Sequence, residues 1–224
     1  MSTFLIVFFF AFVQSVYGVG LLIFGTPLLI LSSFSFVEAL GVLLPSSALI
    51  SLHQVFRYRK ISVSEATSIL PVIFGLALGL MLVLIFEQNL QVMPLVGSAM
   101  LIAAFVKSSD RATNALSRHL SSHKSVFHFF NAFIHGFSNL GGALLPVYAS
   151  TVYREKIRAL KCTSTFYSIY SGAQILVLLA MNRKEIFIDG LMLVPGCLFF
   201  YWFGGRYVIV RMRQKLFDKL AIVF

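Results

Sequence analysis

Ionised side chains are what this sequence lacks. Of its 224 residues only 12% are Asp, Glu, Lys or Arg, against 58% that are apolar; a soluble domain carries about 25% charged residues. The shortage is also uneven. No ionised residue occurs in 1–37, 66–86, 88–106, 125–153 or 162–182, and each run bears comparison with the ~20 apolar residues that cross a hydrocarbon layer. Further apolar stretches lie at 39–56 and 190–205. Seven such runs, separated by short charged clusters, argue against one soluble core and for an all-α integral membrane protein.

Carboxylates are scarcer still. The eight present are Glu38, Glu65, Glu87, Asp110, Glu155, Glu185, Asp189 and Asp218, all at the ends of apolar runs or between them. A pump driven by an intramembrane carboxylate relay is therefore disfavoured. The two cysteines, Cys162 and Cys197, have no ligand-like spacing and read as apolar filler. There is no HExxH, no GxSxG and no phosphate loop, so neither an enzyme nor a metal or other cofactor is expected. His119 and His123 stand four apart, as metal-binding pairs do, but their stretch is rich in Ser and basic residues and reads as a connector. The N-terminal run lacks a basic leader and a small-residue cleavage site, so it is expected to stay in the mature protein.

What the chain does have is a weak internal repetition. Tyr17-Gly18 is echoed by His135-Gly136, and Gly25-Thr26-Pro27-Leu28 by Ala143-Leu144-Leu145-Pro146-Val147. Ser51 and Gln54 correspond to Ser171 and Gln174, and Leu70-Pro71 with Gly79 to Val194-Pro195 with Gly204. The expected organisation is a first membrane repeat at 1–108, a polar cytoplasmic connector at 109–124 and a second repeat at 125–224. Each repeat holds four hydrophobic segments, near 3–35, 38–56, 66–86 and 90–106, then 125–152, 160–181, 186–208 and 216–224. The last is too short to span alone at about 1.5 Å per helical residue.

Lys and Arg mark cytoplasmic loops and so test how the segments run. If every segment crosses, the basic residues divide nine against nine. If the first segment of each repeat enters and returns on one side, the clusters at 57–60, 107–124, 154–161 and 206–219 fall together, with only Arg183 and Lys184 opposed. Here Arg206 counts with the loop residues. Three crossings per half then invert the second repeat relative to the first, the plan of many transporters. The net charge of +10 is accounted for by these loops. The partners expected are a lipid bilayer and a small anionic solute, not nucleic acid.

A re-entrant segment needs a break, and both halves have one. The first segment carries Gly18, Gly20 and Gly25 before Thr26 and Pro27; the fifth carries Gly136, Ser138, Asn139, Gly141 and Gly142 before Pro146. Glycine weakens a helix, and proline favours a first turn. Thr26 and Pro27 read as an N-cap and first-turn pair. Free backbone N–H groups there would favour an anion, so these residues, with His135, Gln54 and Gln174, form the candidate solute site. The two glutamines have an alternative role in interhelical hydrogen bonding, which sequence does not separate from solute binding. His53 and His128 read as interfacial, and Arg158 and Lys161 open the sixth segment. Gly75 and Gly79 form a GxxxG pair expected to pack helices.

These features resemble the TauE/SafE (sulfite exporter-like) family of membrane permeases. The likeness rests on His135-Gly136-Phe137-Ser138-Asn139-Leu140-Gly141-Gly142-Ala143-Leu144-Leu145-Pro146-Val147-Tyr148 as a second-half motif. It also rests on the basic Arg57-Tyr58-Arg59-Lys60, on Pro71, Gly75 and Gly79, and on Gly204-Gly205-Arg206. The first-half motif, Gly20 to Pro27, lacks the usual glycine cluster. The resemblance implies a multi-pass permease of a bacterial plasma membrane that moves sulfite, sulfonates or related organic anions. The alternative is a scaffold or accessory subunit that keeps the fold without transport.

Overall fold

The structure, a computed structural model, describes residues 3–60, 69–86, 124–153, 155–213 and 216. The expected fourth segment at 90–106, nearly all of the connector at 109–124 with His119 and His123, and nearly all of the eighth segment at 216–224 lie outside the described residues. So do Glu65, Glu87, Asp110 and Asp218.

Among the described residues the secondary structure is entirely helical. Helix α1 (Thr3–Tyr17) breaks at Gly18, and a wide π-type turn, Leu21–Gly25, leads into α2 (Thr26–Leu31). Helices α3 (Phe36–Arg57) and α4 (Ile69–Phe86) follow. Helix α5 (Lys124–Ser138) breaks at Asn139, and a tight 3-10 turn, Gly141–Leu144, leads into α6 (Leu145–Val152). Then come α7 (Lys156–Ala180), a short turn at Lys184–Ile186, α8 (Phe187–Phe203), a second π-type turn at Gly204–Val208, and the short α9 (Ile209–Arg211). Arg206 therefore lies in a helical turn continuous with α8, not in a loop. Among the described residues, three helical stretches are long and apolar enough to cross a membrane: Phe36–Arg57, Ile69–Phe86 and Lys184–Phe203.

Local chemistry fixes where α3 starts. Ser35 Oγ accepts from the Glu38 N–H at 3.2 Å, and Glu38 Oε2 accepts from the Ser35 N–H at 2.7 Å, a reciprocal cap that satisfies two otherwise free donors. Burial is inverted relative to a soluble protein. Leu70 and Met192 are 79% and 74% exposed, whereas Gln14, Ser47, Ser51 and Gln174 are at 0%. An apolar exterior around a polar interior suits a hydrocarbon surround.

Close packing depends on missing side chains. Helices α4 and α5 make the most extensive contact, because Gly75 and Gly79 face the Phe129 and Phe133 carbonyls, and Gly136 faces that of Leu76. A Cβ at any of these would strike a backbone oxygen. Across the bundle, Gly41 and Gly190 bring α3 against α8 and its leading turn in the same way.

Three basic clusters meet at one end. Lys161 Nζ donates to the Tyr58 carbonyl at 2.9 Å, and Lys156 Nζ donates to the carbonyls of Ile209 (3.0 Å) and Met212 (2.6 Å). Since α7 begins at Lys156, neither lysine is a free recruiter of anions at a loop. At the opposite end, Thr3, Phe4 and Phe34 line one cleft with Asp189 and Leu193.

Replacing Gly79 with Leu should lower the unfolding midpoint in a detergent–SDS titration, because α4 and α5 must separate. Gly172→Ala should leave that midpoint the same or higher, since nothing beyond the helix's own backbone lies within 4 Å of the added carbon and Ala suits a helix interior better than Gly.

Candidate functional site

The first break is held by side chains. Gly18 takes a left-handed φ of 76° and Gly20 a φ of 155°, conformations that L side chains rarely adopt. The Gly18 N–H still donates to the Gln14 carbonyl at 2.8 Å. Gln14 then reaches across the gap: its Oε1 accepts from the Leu21 N–H at 3.3 Å, and its Nε2 donates to Ser51 Oγ at 3.0 Å and the Ser47 carbonyl at 3.2 Å. Gln54 Nε2 donates to the carbonyls of Gln14 (3.0 Å) and Ser15 (3.2 Å) at the end of α1, while Gln54 Oε1 accepts from Ser164 Oγ at 2.8 Å. Both ends of Gln54 are thereby engaged in interhelical bonding.

The second break uses the same plan with different chemistry. Asn139 takes the left-handed position, φ 61°, and its N–H donates to the His135 carbonyl at 2.7 Å. Asparagine tolerates this region better than most residues. His135 Nδ1 accepts from the Gly142 N–H at 3.1 Å, seven residues on, the spacing of Gln14 to Leu21. A backbone N–H can only donate, so Nδ1 carries the lone pair and the imidazole proton sits on Nε2.

Helix α7 closes the site. Tyr170 stacks on the His135 ring at 4.5 Å and Tyr167 stands edge-on to it at 5.5 Å between centroids. Asn131 Nδ2 donates to Tyr170 Oη at 2.9 Å. Gln174 Nε2 donates to Asn139 Oδ1, and Asn139 Nδ2 to Thr26 Oγ1, each at 2.8 Å. The last bond joins the two broken segments. Around the second break, four buried atoms have no hydrogen-bond partner among the described residues: His135 Nε2, Tyr167 Oη, Asn131 Oδ1 and Gln174 Oε1. Their residues are at most 2% exposed. An unmet buried polar group costs about 1–3 kcal/mol, so each of these atoms calls for a partner.

The sequence candidates divide accordingly. His135, Asn139, Gly141, Gly142 and Gln174 come together at the second break. Here a Cβ on Gly141 would strike the Asn131 carbonyl, and one on Gly142 the Tyr167 hydroxyl. Gly18 and Gly20 shape the first break, and Gly25 lies against Leu43. Pro27 occupies the first turn of α2. Gly136 belongs to the α4–α5 contact, and Ser138 Oγ donates to the Ile134 carbonyl at 2.8 Å. Thr26 is not an N-cap: the π turn runs helically into α2, so no free N–H groups arise there, and its hydroxyl accepts from Asn139 instead. His128 lies in the first two turns of α5 and packs inside the bundle. It is fully buried, 4.2 Å from Phe166 and 4.7 Å from Tyr148 between ring centroids, whereas His53 is exposed and bonds Tyr201 Oη at 2.8 Å.

Sequence reasoning missed Gln14, Asn131, Tyr167 and Tyr170. It also matched glycine to glycine, whereas the bonding pattern matches Gln14, Gly18 and Leu21 with His135, Asn139 and Gly142. The offset is 121 at Leu21/Gly142 and 119 at Pro27/Pro146. The π turn takes up the extra residues, since its i→i+5 winding holds more per turn than 3-10 winding.

A family model described as "Sulfite exporter TauE/SafE" matches residues 3–224. The chain belongs to the TauE/SafE family. It is thus an integral membrane protein of a transporter family, and the polar layer at Asn139 lies within a family member's helical bundle. No curated protein and no solved structure matches the chain.

Within this TauE/SafE protein, Gln14→Leu should strand the Leu21 N–H and lower stability by about 1–3 kcal/mol. Reversible unfolding in mixed micelles measures this. Thr26→Val removes one interhelical bond and should cost less, about 0.6–1.7 kcal/mol.

Proposed function

We propose that this protein is a carrier for a small oxyanion, such as sulfite or a sulfonate, seated at the second break. One observation carries the reading: the His135 Nε2–H and the Tyr167 hydroxyl are two buried donors with no acceptor. The Tyr167 hydroxyl lies where a Cβ on Gly142 would stand, and the His135 ring meets Gly142 through Nδ1. Neutral donors bind an anion without the desolvation cost of a buried cation. Gly142, His135, Asn139 and Gln174 are assigned to this site, with Tyr167 and Asn131 added. The first break, including Gly18, Gly20, Gly25, Thr26 and Pro27, is assigned a supporting role through the Asn139–Thr26 bond.

The re-entrant, inverted arrangement is part of the proposal. It is supported by the contact of Lys161 with Tyr58, which joins two basic clusters that an all-crossing chain would separate. It is also supported by the hairpin form of each broken segment: Thr3 lies near Phe34, and Phe127 stacks on Tyr148 at 5.4 Å. Repeats at 1–108 and 125–224 around a cytoplasmic connector, in a bacterial plasma membrane, complete the reading.

A transport-inactive scaffold is the second reading. It is favoured by the first break, where Gln14, Ser47, Ser51 and Gln54 are engaged with one another and with backbone.

Purified protein in liposomes should exchange labelled sulfite or a sulfonate, and Tyr167→Phe should slow exchange at least tenfold while leaving the fold intact. Well-folded protein that exchanges no anion would favour the scaffold. In cells, cysteines placed at Lys60, Arg158 and Met212 should react with an impermeant thiol reagent from the same side, and one at Arg183 from the other. Labelling of Lys60 and Arg158 from opposite faces would discard the re-entrant arrangement.

A further inference from the structure

We infer that the solute passes when two bodies part along the seam between α3 and α7, and that each body holds the third helix of the other half of the chain. The inference rests on the carrier reading above and adds which contacts open and which stay closed. Carriers expose a central site by rocking one bundle of helices against another. In chain order α4 follows α3, yet it packs mainly on α5 and α7; α8 follows α7, yet it packs mainly on α1 and α3. One body is therefore α1, α2, α3 and α8, and the other is α4, α5, α6 and α7. These bodies are not the two proposed repeats, because the third helices are exchanged.

Inside each body, glycines set main chain against main chain. Gly75 and Gly79 of α4 face the Phe129 and Phe133 carbonyls of α5, and Gly136 faces that of Leu76. In the other body Gly41 faces the Ile186 carbonyl, and Gly190 of α8 faces that of Gly41. Such contacts hold by close packing and have no side chain that could turn to another partner. Rings pack on the same helix pairs: Phe74 stacks on Phe129 at 6.2 Å and Phe8 on Phe200 at 5.3 Å between centroids.

The seam is built from side chains instead. Ser164 Oγ donates to Gln54 Oε1 at 2.8 Å, Ser171 Oγ to Ser47 Oγ at 3.4 Å, and Asn139 Nδ2 to Thr26 Oγ1 at 2.8 Å. At the basic end Lys161 donates across it to the Tyr58 carbonyl, and Lys156 to those of Ile209 and Met212. Among the described residues no glycine brings the two main chains together here. Gly18 meets the side chains of Leu160, Thr163 and Ser164 at 3.0–3.3 Å, and Gly172 of α7 meets nothing beyond its own helix within 4 Å. Side-chain hydrogen bonds between membrane helices are modest, and water or a polar solute can take them over. The seam is thus the contact that opens at least cost. Both breaks border it, so parting it frees the Asn139 side of the second break.

The test bridges these contacts in the purified full chain in liposomes and measures exchange of labelled sulfite. Two cysteine pairs span the seam: Ser47→Cys with Ser171→Cys, and Tyr58→Cys with Lys161→Cys. Two others lie within a body but join the repeats: Phe8→Cys with Phe200→Cys, and Phe74→Cys with Phe129→Cys. Each pair is bridged by oxidation, or by a short disulfide-forming bifunctional reagent where the sulfurs stand too far apart. Cys162 and Cys197 are buried and stay in place. Bridging either seam pair should abolish exchange, and reduction should restore it. Bridging either within-body pair should leave exchange at the rate of the reduced form.

Exchange that is lost when a within-body pair is bridged, and recovered on reduction, overturns the division into these bodies, since motion of whole repeats would give that result. Exchange that survives a complete bridge between residues 47 and 171 overturns the seam as the contact that opens. Folded wild-type protein that exchanges no labelled anion overturns the carrier reading itself, before any bridge is made. Each arm holds two pairs, so a variant that fails to exchange in its reduced form is replaced by the other pair and leaves the test intact.

Discussion

An interrupted helix in a membrane must find partners for the backbone groups it frees, and this fold depends on how that need is met. Each break lies after a residue with positive φ, Gly18 or Asn139, and each is bridged by the side chain four residues before it. Gln14 accepts from Leu21 and His135 accepts from Gly142, so both gaps are closed by one short polar arm. Without water to solvate those groups, loss of the arm would leave buried donors unmet. The breaks persist because α3 and α7 supply the remaining partners from Ser47, Ser51, Gln54, Tyr170 and Gln174.

The two arms differ in what remains after the bridge is made. An amide such as Gln14 has a second polar end, and Ser47 and Ser51 absorb it. Imidazole also has a second polar atom, Nε2, and among the described residues the tyrosine rings packed on His135 leave it without a partner. One break is therefore saturated and the other keeps polar atoms in reserve. The Asn139–Thr26 bond ties the saturated break to the other.

The helix contacts around these breaks follow from small residues. Gly75, Gly79 and Gly136 let α4 and α5 approach until backbone touches backbone, and Gly41 and Gly190 do the same for α3 against α8 and its leading turn. Lipid tails are as apolar as Leu, so burial alone does not drive helices together. Close approach and interhelical hydrogen bonds must do it. The buried serines and glutamines of α3 and α7 serve that end as well as lining the interior.

The sequence by itself determined the membrane class, because runs without charge leave no other solvent for the outer surface. It also determined where both segments break, since Gly, Asn and Pro constrain the backbone locally. The family likeness was legible in the same motif residues. The tertiary structure decided which candidates share a site. Gly136 sits a few residues from His135 yet belongs to a helix contact, and Gln54, paired in sequence with Gln174, has both ends bonded. Asn131, Tyr167 and Tyr170 were not read as site residues because no local motif marks them. Whether a polar atom is saturated depends on what the other helices bring within about 3 Å, and no single segment encodes that.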